Sequence, residues 1–148
     1  MIIVSLLTCL TFTLLRTAKM SAAKAWSVWE GRVSKLVQDP PAATAAKFGD
    51  DRFSLAFARI ENHYFTHGGF FPRDGYILEK ANIDKIRHIP TVIVQGRYDL
   101  VCPPITAHDL HESFPESEIV YTMAGHSGFE TENIKELVKA TERFKTRK

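Results

Sequence analysis

Asp99 stands in the stretch TVIVQGRYDLVCPP, and His126 stands in AGHSGFE. One is a carboxylate and the other an imidazole, and each follows directly on an apolar, β-branched run. If those runs are neighbouring parallel strands, both residues sit at carboxyl ends of strands, where the sites of open parallel sheets gather. A carboxylate beside an imidazole holds its tautomer and stabilises the cation formed when the ring takes a proton. Such a pair can activate a hydroxyl or thiol nucleophile. Pattern alone leaves the alternative open that Asp99 only caps a turn and that His126 is an ordinary loop histidine.

The elements around these two residues have to place them. Residues 91–95 read as a buried strand, ended by Gly96. Pro103 and Pro104 open a helix through PITAHDLHESF, because a proline is tolerated where a first-turn N–H has no partner anyway. EIVYTM reads as a second strand, and NIKELVKATERF as a closing amphipathic helix with Ile134, Leu137, Val138 and Phe144 apolar. Strand, helix, strand, helix is the pattern of a parallel sheet with outer helices, so this half is α/β.

The earlier half is helical. Residues 20–37 fit one helix, with Trp26, Trp29 and Val33 on a face. QDPPAATAAKFGDD reads as a break. Asp50 or Asp51 can cap a second helix through RFSLAFARIENHYFTH, ended by Gly68 and Gly69, with Phe53, Phe57, Ile60 and Tyr64 as its apolar stripe. A short helical stretch is expected near residues 77–82. Glu61 and Phe65 are four apart, so they share a face with Phe57.

Composition excludes several classes. The chain has 148 residues, 45% of them hydrophobic, which suits a globular domain with a core. Lysine and arginine number 19 against 17 acidic residues, without a long basic run, so nucleic acid is not an expected partner. Cys9 and Cys102 are far apart, and the six histidines show no ligand spacing with them, so neither a metal site nor a disulfide is expected. MIIVSLLTCLTFTLL is apolar but broken by Ser5, Thr8, Thr11 and Thr13, and its first positive charge is Arg16, behind the run. That is the wrong order for a secretion signal and too short a clean run for a membrane helix, so no membrane partner is expected.

GRYDLVCP followed by AGHSGFE resembles the C-terminal part of an α/β-hydrolase. AWSVWEG and FSLAFARIENHYF narrow the likeness to proline iminopeptidases, serine peptidases whose helical cap carries similar stretches. The likeness runs roughly from Ala22 to Phe144. It implies an atypical apolar start over residues 1–19, part of a helical cap over 20–82, and the last strands and helices of the hydrolase domain over 83–148. It implies a serine aminopeptidase that releases N-terminal proline from peptides in the cytoplasm, without a cofactor or metal. Asp99 would be the triad acid and His126 the base. Glu30 and Glu61 would bind the substrate's free amine, Phe65 would wall the proline pocket, and Cys102 would lie near the catalytic centre. On the residues alone, Glu61 could be a solvated helix residue, Glu30 a surface charge, Phe65 core and Cys102 an inert thiol.

The sequence holds no G-x-S-x-G turn and no stretch like GGSWG or HGGPG, which the resemblance requires for the nucleophile and the oxyanion donors. Ser127 is no substitute, because it lacks a strand–turn–helix setting. The expectation is therefore a C-terminal fragment, poorly stable alone, since two or three strands leave edges and an apolar face uncovered. A non-catalytic remnant or interaction fragment is the competing reading. A third, an esterase of the same superfamily, would leave Glu30 and Glu61 without a role.

Overall fold

The chain's computed structural model describes residues 16–145; the apolar opening up to Leu15, with Cys9, lies outside them. Two units form, one from the residues up to Arg32 together with Asp39–Asp74, the other from Val33–Gln38 and the chain from Gly75 onward.

The first unit holds helices α1 (Arg16–Val33), α2 (Pro41–Phe48) and α3 (Asp51–Thr66). Helix α1 starts and stops about a turn earlier than its apolar pattern suggests. The stretch expected to be a break contains α2. Pro41 occupies the first turn, where its missing N–H costs nothing, and the alanines that follow are strong helix formers. Asp50 caps α3, its Oδ1 accepting from Phe53 N at 2.8 Å. Gly68 and Gly69 follow the helix with positive φ of 56° and 62°, a conformation that glycine adopts without strain.

The core of this unit is Ala23, Trp26 and Ala58, with Leu55 and Phe57 packed against it. Ser27 and Ser54 are fully buried as well. Small side chains at a helix contact let the two backbones come close. This corrects the expected stripe of α3: Ser54, Ala58 and Asn62 are buried there, whereas Phe53, Ile60 and Tyr64 are exposed and Phe57 is half-buried.

The second unit holds a short α4 (Lys80–Ile83) after a 3₁₀ turn at Tyr76–Leu78. Strand β1 (Val92–Gly96), α5 (Pro104–Ser113), β2 (Glu118–Thr122) and α6 (Thr131–Lys145) follow. The strands pair in parallel, from Val92 opposite Glu118 to Gly96 opposite Thr122. Helices α5 and α6 each pack on both strands. The class is α/β, with a small parallel sheet. Phe114 and Ile83 are its large fully buried side chains. On α6 the buried positions are Asn133 and Ala140, and Ile134, Leu137 and Val138 are exposed instead of facing a core. Among the described residues no helix is long and apolar enough to cross a membrane.

Beyond the strands the ladder continues, with Arg97 N donating to Thr122 O at 2.9 Å and Tyr98 N to Ala124 O at 3.0 Å. Gly96 sits where the two chains run closest. A Cβ there would lie 2.8 Å from Ala124 O and nearer still to Gly125 O, both of them backbone atoms that cannot swing away. Gly96→Ala is expected to cost about 3 kcal/mol of stability through overpacking, read from urea unfolding of the chain.

Candidate functional site

Asp99 lies in the turn that closes β1, its own N–H donating to Gly96 O at 3.3 Å. The side chain is buried and fully engaged. Oδ1 accepts from Val101 N at 2.9 Å and from Cys102 N at 2.7 Å. Oδ2 faces His126 Nδ1 at 3.1 Å and Gln95 Nε2 at 3.3 Å. An ionised carboxylate can only accept, so Nδ1 of the ring carries the proton and Nε2 keeps its lone pair. A neutral imidazole in that tautomer can take a proton at Nε2, and its ring is partly open to solvent. The sequence brings these two groups together through parallel pairing: Gly96 and Thr122 are opposite one another, and the two loops leave the same end of the sheet.

The loop that carries His126 is fixed from both sides. Asn133 of α6 donates to Gly125 O at 3.2 Å and to Ser127 O at 2.9 Å, and its Oδ1 accepts from Thr122 Oγ1. Glu130 accepts from Gly125 N at 2.7 Å. Cys102 is exposed, and what it gives the site is its backbone: its N–H serves Asp99, and its carbonyl accepts from Gln95 Nε2 at 3.3 Å.

The first unit gathers a second group of the expected residues. Glu30 of α1 is buried, and it hydrogen-bonds Glu61 of α3. Trp26 Nε1 donates to Glu61 Oε2 at 2.6 Å. Trp26 touches Trp29 at a ring-centre distance of 5.4 Å and meets Phe65 edge-on at 6.4 Å. Burial, then the charge of Glu61, then the hydrogen bond between them push the Glu30 carboxyl up to about 7. Two hydrogen-bonded carboxyl groups cannot both ionise cheaply, so Glu30 keeps its proton to a far higher pH than an ordinary carboxyl. A carboxyl pair beside aromatic rings has the chemistry that could hold a small organic cation with an apolar body. Phe65 is exposed and is not core.

Trp26, Gln95, Glu130 and Asn133 were not singled out by type and spacing. Trp26 was legible only as part of an apolar face, yet its N–H is what orients Glu61. Among the described residues no three His, Cys, Asp or Glu side chains gather as a metal site.

No family model matches the chain. Individual proteins do. It is 54% identical over 131 residues to a probable proline iminopeptidase of Leptolyngbya boryana, covering 88% of this chain and 40% of that protein. It is 54% identical over 127 residues to the proline iminopeptidase of Arabidopsis thaliana, covering 84% of this chain and 32% of that one. Over most of its length the chain matches a C-terminal portion of proline iminopeptidases. A third relative, the proline iminopeptidase of Xanthomonas citri, is 50% identical over 127 residues, 39% of its length. The chain thus spans well under half the length of the curated relatives it matches and corresponds to a C-terminal portion of them.

Proposed function

We propose that this chain is the C-terminal part of a cytoplasmic serine aminopeptidase that releases N-terminal proline from peptides. The observation that carries the reading is the pairing of Glu30 with Glu61 beside Trp26 and Phe65. An ester or an internal peptide bond has no use for two carboxylates, whereas a protonated imino group needs them. On this reading residues 20–82 are part of a helical cap and residues 83–148 the end of an α/β-hydrolase domain. Asp99 is the triad acid and His126 the base.

The nucleophilic serine comes from a segment outside this sequence. His126 Nε2 takes its proton as the serine oxygen attacks the prolyl carbonyl. The ring then gives that proton to the leaving amine, leaving a prolyl ester on the serine. Water attacks the ester with its proton drawn to the same Nε2, and free proline and the serine hydroxyl are regenerated. No metal or cofactor has a part in these steps.

The test compares two proteins: the 148-residue chain, and the same chain joined to the upstream portion of the Leptolyngbya boryana relative. Hydrolysis of proline arylamide is expected only from the joined protein, and blocking the substrate's imino nitrogen by acetylation is expected to abolish it. Activity in the short chain, or equal rates on the acetylated substrate, would overturn the reading.

A further inference from the structure

His126 needs more than Asp99 to stay in place, because its ring is partly exposed and the loop that carries it belongs to neither strand nor helix. The backbone just before it is tied by a side chain that the mechanism does not use. Glu130 is half-buried just before α6. Its Oε1 accepts from Gly125 N at 2.7 Å, and its Oε2 accepts from Leu36 N at 2.9 Å. On the far side of His126, Ser127 N donates to Ser34 O at 2.7 Å. Gly125 lies so close to this segment that a Cβ on it would stand 2.9 Å from Leu36 N and 3.1 Å from Glu130 Oε1. One carboxylate therefore accepts from two backbone donors far apart in the chain, one of them 94 residues before Glu130 itself.

We propose that Glu130 is a positioning residue for His126: by clamping Gly125 to residues 34–36 it holds the imidazole against Asp99. The proposal rests on the reading of His126 as the base. The chemistry of the clamp is specific to a carboxylate. Both of its oxygens receive an N–H, so a glutamine must turn its NH₂ toward one of those donors and lose that bond. An aspartate is one methylene too short to reach both. Charge-assisted bonds from a carboxylate to backbone N–H groups are also stronger than neutral ones, so the glutamine weakens the bond that remains.

The test has two arms. In the 148-residue chain, NMR follows the His126 Nδ1 proton and the amide protons of Gly125 and Leu36. Glu130→Gln is expected to move or broaden the imidazole proton and to speed exchange at one or both amides, while the amides of β1 and β2 stay protected. In the joined enzyme, Glu130→Gln and Glu130→Asp are expected to lower kcat on proline arylamide by about 10–100-fold, with KM changed less than about threefold, as for a base held out of line. Glu132→Gln on the exposed face of α6 serves as the control without effect. An unmoved imidazole proton in the Gln variant overturns the proposal whatever the enzyme does. So does an enzyme that His126→Ala abolishes and Glu130→Gln leaves at full kcat. An active enzyme indifferent to His126→Ala would instead overturn the functional reading itself, so the two failures are distinct.

Discussion

Asp99→Asn in the joined enzyme is expected to lower kcat on proline arylamide by about 10⁴-fold, the loss seen when the acid of a serine triad becomes an amide, while KM and the melting temperature stay near wild type. The hydrogen bonds of Asp99 explain both halves of this. Oδ1 receives two backbone donors, Val101 N and Cys102 N. An asparagine must keep its carbonyl oxygen there, since its NH₂ would otherwise point at two N–H groups. The turn is preserved, and the NH₂ is forced toward His126, with the 3.3 Å bond from Gln95 Nε2 given up. A donor facing Nδ1 requires that nitrogen to accept, which moves the ring proton to Nε2. The imidazole can then no longer take a proton where the serine would offer one. His126→Ala is expected to reach at least the same loss. Asp99→Ala would behave differently, because it leaves the two turn N–H groups unpaired at about 1–3 kcal/mol and lowers stability as well as rate. Steady-state kinetics with thermal melts separates these cases, and an Asn variant that keeps more than a tenth of the wild-type kcat would contradict the assigned tautomer.

Legibility in the sequence followed the kind of signal each feature leaves. The parallel pair of strands and the helix between them could be read from β-branched runs and prolines, because those residue types act locally on the backbone. The meeting of Asp99 and His126 followed from that topology. Helix α2 was hidden by its prolines, which mark a break only when they stand beyond a first turn. The contact between α1 and α3 was hidden for a different reason. Periodicity of large apolar residues tells which face could be buried, but the buried cluster of this unit is built on the small Ala23 and Ala58 around Trp26. The large apolar side chains Phe53, Ile60 and Tyr64 are left exposed in consequence. Glu30 with Glu61 could be paired only through the resemblance, since they lie on different helices and neither spacing nor charge pattern links them. Glu130 and Asn133 left no trace at all. A side chain that serves backbone groups of a loop has no period and no partner type to look for.

Glu61→Gln in the joined enzyme is expected to cost about 2–5 kcal/mol of substrate recognition, some 30-fold to several-thousand-fold in kcat/KM, the range for removing one charge of a buried pair. The glutamine oxygen can still accept from Trp26 Nε1, so α1 and α3 should stay packed, and the loss reads the charge. The same pair sets a pH dependence with a definite sign. The Glu30 carboxyl is held up near 7 in the fold against 4.5 ordinarily. Its protonated form is therefore the one the fold prefers, and the preference is fully present below pH 4.5 and lost as the pH rises through about 7. The melting temperature of the 148-residue chain should accordingly fall over that window, and Glu30→Gln should flatten the fall. Amine binding runs the other way. A cation placed against the two carboxylates favours their ionised forms, so it must displace the proton on Glu30. Affinity for prolinamide should then rise from pH 5 to pH 7, with a proton released on binding that grows as the pH drops toward 5. Calorimetry in two buffers of different ionisation enthalpy measures that proton directly. Binding without proton release at pH 6 would mean that the amine does not sit between Glu30 and Glu61.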